Sequence, residues 1–154
     1  MRQLMVGVIG AGTTTSAGYE AARQVGYLIA RAGAVLVCGG LGGVMEAACR
    51  GACEAGGQTL GLLPGPEAAQ ANPWVTLVVP TNLGHARNVI IAHTAQVLIA
   101  VEGEFGTLSE MAIGLKLGKP VVALGSWPGL PGVIYTNTPA EAVARAIEAI
   151  HDSK

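Results

Sequence analysis

The chain has 154 residues, 12% of them charged, and a formal net charge of −1. That length suits one domain with a real core, while sparse and balanced charge argues against a nucleic-acid surface, which needs clustered Lys and Arg. An apolar share of 51% argues against disorder, no apolar run approaches the ~20 residues that cross a membrane, and three cysteines fit a reducing compartment better than a disulfide scaffold. The expectation is a cytoplasmic protein without nucleic-acid or membrane partners. So little charge leaves little polar surface to cover a monomer, and a homodimer or homotetramer with an Ala/Leu/Ile-rich interface is expected.

Strand-like and helix-like patterns alternate along the chain. Leu4–Ile9 is apolar and runs straight into a glycine turn, so it reads as a first strand and not as a signal peptide. Ala17–Ala32 carries Ala21, Val25, Leu28 and Ile29 at helical spacing, with Gly33 placed to end the helix. Val35–Cys38 is apolar on both faces, as in a buried parallel strand. A helix over Val44–Ala55, a strand over Thr59–Leu63, a Pro-bearing loop over 64–74 long enough to act as a lid, and a strand over Val75–Val79 follow. The remaining pattern predicts a helix at His85–Thr94, a strand at Gln96–Val101, a helix at Leu108–Leu117, a strand at Val121–Leu124 and a last helix at Ala140–His151. The expected fold is a single α/β domain over 1–154, Rossmann-like and doubly wound, with a mainly parallel sheet and helices on both faces.

Three glycine-rich turns each stand between a strand-like and a helix-like run. They are Gly10-Ala11-Gly12-Thr13-Thr14-Thr15, Gly39-Gly40-Leu41-Gly42-Gly43 and Gly103-Glu104-Phe105-Gly106-Thr107. Each offers free amides at a helix start, where the helix dipole favours an anion. In a doubly wound sheet all three belong at the carboxyl edge, where ligands bind. The expected ligand is a phosphorylated small molecule held by Gly10, Gly12, Thr13, Gly39, Gly40, Gly42, Gly43, Met45, Arg87, Gly103, Gly106 and Thr107. The bland alternative is that glycine only closes tight turns. A dinucleotide fingerprint is incomplete, with Thr15 in place of the third glycine, and no P-loop motif is present.

The segment Gly39-Gly40-Leu41-Gly42-Gly43-Val44-Met45-Glu46-Ala47 resembles the first signature of the LOG-type, lysine decarboxylase-like proteins. Gly103-Glu104-Phe105-Gly106-Thr107-Leu108-Ser109-Glu110 resembles their P-G-G-x-G-T-x-x-E signature, and Arg87 stands upstream as their active-site arginine does. The resemblance implies a Rossmann-like fold, usually built from dimers. It also implies cleavage of the N-glycosidic bond of nucleoside 5′-monophosphates, with Arg87 on the phosphate and Glu110 as acid/base or charge stabiliser. Three departures, Glu102-Gly103-Glu104 for Pro-Gly-Gly, Asn88 for a lysine, and Met45-Glu46 for Met-Gly, look more like a sister branch of short single-domain proteins. That branch includes the molybdenum cofactor carrier proteins. The first expectation is therefore a binding protein for a nucleotide-like or pterin-like phosphate, needing no cofactor of its own. Its bound ligand would be a nucleotide monophosphate or a molybdopterin-type cofactor. The alternative is a phosphoribohydrolase in which Arg87 and Glu110 are catalytic, while lysine decarboxylation is disfavoured.

Several residues carry a structural reading beside the functional one. Thr107-x-x-Glu110 has the form of a capping box, as has Thr138-Pro139-Ala140-Glu141. Arg87 and His85 could be surface or interface residues. Cys49 and Cys53, four apart, are expected to be small core side chains and no metal site is expected. Trp74 and Trp127 stand in Pro-bearing loops and either wall the pocket or anchor a loop.

Overall fold

The computed structural model describes residues 1–153. Its strands are β1 (Met5–Gly10), β2 (Val35–Cys38), β3 (Thr59–Leu63), β4 (Leu77–Pro80), β5 (Val97–Val101), β6 (Val121–Leu124) and β7 (Ile134–Thr136). Its α-helices are α1 (Ser16–Arg31), α2 (Val44–Glu54), α3 (Arg87–Thr94), α4 (Phe105–Lys116) and α5 (Pro139–Asp152). All strand pairs are parallel and form one sheet ordered β4-β3-β2-β1-β5-β6-β7. The chain winds outward from β1 in one direction and then from β5 in the other, the doubly wound Rossmann-like topology expected from the alternating pattern.

Strand side chains alternate between two cores. Val6, Val8, Leu36 and Cys38 pack with α1, α2 and α5, whereas Ile9, Val37, Leu98 and Ala100 pack with α3 and α4. This explains why the central strands are apolar at every position. Helices α1 and α2 meet closely because Gly26 rests on the backbone of Ala48 and Gly51 on that of Arg23.

Local chemistry sets the ends. Thr15 caps α1 by accepting the Gly18 N–H at 3.0 Å, and Thr138 caps α5 by accepting the Glu141 N–H at 3.1 Å. Glu141 reaches back to accept the Asn137 N–H at 3.0 Å, one residue before the N-cap amide that a capping box uses. Lys119 closes the far end of α3 by donating to the carbonyls of Ala92, His93 and Ala95.

The structure corrects four expectations. Helix α4 starts at Phe105, three residues early, because Glu104 takes the N-cap position and Gly106 falls inside the first turn. The fourth strand starts at Leu77, not Val75, because Thr76 and Thr59 exchange backbone-to-hydroxyl bonds at 2.8 and 2.9 Å and the β3 ladder opens only after that pair. Strand β7 escaped notice, being only three residues that follow a Gly/Pro-rich stretch. The loop 64–74, expected as a lid, does not line the cleft, and Asn72 ties its end to the second glycine turn, its N–H donating to the Gly40 carbonyl and its Nδ2 to the Leu41 carbonyl, both at 2.9 Å. No helix among the described residues is long and apolar enough to cross a membrane.

Candidate functional site

The strand order reverses beside β1, and there the three turns surround one cleft of about 420 Å³. Gly10, Ala11, Gly12 and Thr13 form the wall after β1, and Gly39 and Met45 contribute from the crossover after β2. Glu104, Gly106, Thr107 and Glu110 come from the third turn and α4, and His85, Arg87 and Asn88 from the start of α3.

The first two turns are locked together. Val44 N–H donates to the Ala11 carbonyl at 2.9 Å, and any side chain on Gly43, whose φ is 65°, would strike that carbonyl. Gly10 is equally constrained: a methyl there would meet the Val101 carbonyl and the Val44 side chain. Gly40, Gly42, Gly43 and Gly103 are not on the cleft wall. Gly40 N–H points to Cys38 Sγ at 3.3 Å, and Gly103 lies under Thr107.

The third turn is the most open. The amides of Phe105, Gly106 and Thr107 begin α4 and have no intrahelical acceptor. Glu104 at the N-cap makes no side-chain cap bond, and the first turn carries no acidic residue. This helix start therefore keeps its donors and its positive dipole end for something outside the chain.

Arg87 occupies the cleft floor, its guanidinium against Gly39. Its Nε is the fully buried side-chain nitrogen left without a partner among the described residues. An unmet buried donor costs about 1–3 kcal/mol. Burial draws the Arg87 pKa down, while the charges of Glu110 and Cys38 act in the opposite sense. Glu110 is 8% exposed, and burial pushes its carboxyl up to about 7 against the opposing pull of Arg87. The two feel each other's charge without forming an ion pair.

The capping reading of Glu110 fails. Thr107 lies inside α4 and buried, and Glu110 faces the cleft with no hydrogen bond to the chain. Its side chain is thus placed for chemistry or for ligand contact. Neither tryptophan walls the cleft. Trp127 supports the third turn from behind, donating Nε1–H to the Glu104 carbonyl at 3.0 Å with its ring 5.7 Å from that of Phe105. Trp74 packs near Arg50, 5.8 Å from its guanidinium carbon. Cys49 is buried with its Sγ 3.4 Å from that of Cys38, Cys53 is half-buried, and no group of three metal-ligating side chains occurs among the described residues.

Sequence reasoning underrated His85, Asn88 and Glu104. For His85 and Asn88 the available signal is a fourth strand-to-helix connection, Pro80–Arg87, which lacks the repeated glycines that mark the other three; for Glu104 it is its place within the third turn.

With this geometry in place, comparison with known proteins is specific. Residues 3–151 match the model of the SLOG cluster4 family. An uncharacterized protein of Archaeoglobus fulgidus is 44% identical over 149 residues, covering 97% of this chain and 98% of its own. Among solved structures, the molybdenum cofactor binding protein of Rippkaea orientalis is 37% identical with a TM-score of 0.91, covering 98% of this chain and 99% of its own. The molybdenum cofactor carrier protein of Chlamydomonas reinhardtii is 34% identical with a TM-score of 0.87, covering 97% and 99% respectively.

Proposed function

The chain belongs to the SLOG cluster4 family, and from that premise we propose that it binds and carries a phosphorylated pterin-like molecule of the molybdenum-cofactor type. The observation that carries this reading is Arg87, a cation without an ion-pair partner among the described residues, on a cleft that all three glycine turns line. A volume of about 420 Å³ suits a small molecule. Arg87 and the amides of Phe105, Gly106 and Thr107 hold the phosphate, because a planar guanidinium and a free helix start both match a tetrahedral anion. Gly10, Gly12, Thr13, Gly39 and Met45 contact the rest of the ligand, and Gly40, Gly42, Gly43 and Gly103 keep the loops in that shape. The solved relatives support the pterin class by their own ligand. In solution the protein is a homodimer or homotetramer.

One observation favours a second reading. A buried carboxyl with a pKa of about 7 is suited to act as a general acid at neutral pH. Under this reading the protein hydrolyses the N-glycosidic bond of a nucleoside 5′-monophosphate. Arg87 orients the phosphate and Glu110 gives its proton to the departing base as the C1′–N bond breaks, while water bonds to C1′ and the proton it loses restores the Glu110 acid.

One experiment separates the two. The gently purified protein is analysed by mass spectrometry for a retained pterin phosphate and is incubated with AMP and related monophosphates. The carrier reading expects a retained pterin and no free base. Base release that vanishes in Glu110→Gln would overturn it in favour of hydrolysis.

A further inference from the structure

The residue that follows β5 has an unusual backbone. Glu102 has φ 52°, in the left-handed region that costs a side-chain-bearing residue about 1–2 kcal/mol. Such strain persists only where the surroundings enforce it, and it gathers at functional sites. Here it is enforced from both ends. The Glu102 carbonyl accepts the Ser126 hydroxyl at 2.6 Å. Its carboxylate accepts the Thr15 hydroxyl at 2.7 Å and the Thr14 hydroxyl at 2.9 Å, and lies so close over Gly18 that a methyl there would collide with it. Thr15 is the N-cap of α1, and its hydroxyl accepts the Gly18 N–H while donating to Glu102.

The strained backbone thus delivers a carboxylate to the start of α1. That helix start follows the first glycine turn and is where sheets of this topology seat the pyrophosphate of a dinucleotide. Its cationic end is already answered by a charge that belongs to the chain. The hydrogen bonds from Thr15 and Thr14 hold the Glu102 carboxyl below the usual carboxylate range, so it stays ionised near neutrality.

We propose that Glu102 is a specificity-determining residue that fills the α1 anion seat from within and so restricts the cleft to ligands carrying one phosphate. The inference rests on the anion-seat reading above and adds to it a reason why diphosphates and dinucleotides are rejected. A second phosphate, reaching from the α4 start toward α1, meets like charge where other folds of this topology offer amides.

The test compares inorganic phosphate with inorganic pyrophosphate by calorimetry on the wild type, Glu102→Gln and Glu102→Gly. The Gln variant keeps an acceptor for the threonine hydroxyls but removes the charge. The Gly variant removes carboxylate and strain together and guards against a misfolded Gln protein. The expected result is that both variants raise the pyrophosphate-to-phosphate affinity ratio at least tenfold over the wild type. A wild type that binds phosphate, with variants whose ratio is unchanged, overturns the Glu102 assignment alone. A wild type that binds neither anion overturns the anion seat and this assignment with it.

Discussion

Helices α1 and α4 begin alike and end up different. Each follows a central parallel strand through a glycine-bearing turn, and both turns line the same cleft. At α1 the chain satisfies its own donors: Thr15 caps the helix and the Glu102 carboxylate covers its first turn. At α4 there is no side-chain cap and no acid in the first turn, and Arg87 and Glu110 flank the opening. Both starts have the same dipole and the same orphan amides, so neither property marks a binding site. What marks one is that the surrounding side chains leave the donors unanswered.

The contrast can be broken most forcefully at Arg87. Arg87→Ala should weaken a phosphorylated ligand about a hundredfold, the worth of a charge-assisted contact of about 3 kcal/mol. The fold should survive, because the substitution also removes an unmet buried donor. Calorimetry with unchanged affinity would take Arg87 out of the seat.

Glu110→Gln tests the other flank through pH. The carboxyl has a pKa near 4.5 when unfolded and about 7 when folded. Between those values the folded chain keeps a proton that the unfolded chain releases, so stability falls as pH rises through this window and the cost is complete above 7. Gln carries no such cost. Glu110→Gln should therefore raise stability at pH 8 by up to about 3 kcal/mol and change it little below pH 4.5. Denaturant titrations giving the same difference at both pH values would contradict the buried, uncapped placement.

Gly106→Ala sharpens the comparison with less force. A methyl there meets no protein atom, and alanine is the better helix former by about 1 kcal/mol. The variant should melt no lower than the wild type yet bind phosphorylated ligand about tenfold more weakly. Unaltered affinity would place the ligand elsewhere. Thr138→Ala is the smallest effect, a loss of about 1 kcal/mol from the α5 cap with ligand affinity unmoved.

Most of the fold was legible because it rests on local pattern. Val35–Cys38 and Val97–Val101, apolar at every position, report burial on both faces, and Gly33 and Gly118 punctuate helices where their positive φ is needed. Arg87, Met45 and Glu110, which the structure places on the cleft, are named in the sequence by the resemblance to the LOG-type signatures and their upstream arginine. The errors came from tertiary choices that spacing does not encode. Thr107-x-x-Glu110 fits a capping box, yet the helix starts at Phe105 and turns both side chains inward. Glu102 stands in place of the signature proline, and only the threonine hydroxyls of the first turn reveal that its carboxylate faces α1. His85 and Asn88 reach the cleft by a return crossover that carries no glycine signature.

The unequal helix starts can be compared directly by following backbone amide resonances while inorganic phosphate is titrated into nitrogen-15-labelled protein. The account predicts large, saturable shifts at Phe105, Gly106 and Thr107 and little movement at Thr15 and Gly18. Shifts centred on Thr15 and Gly18, with Phe105 to Thr107 unmoved, would contradict it.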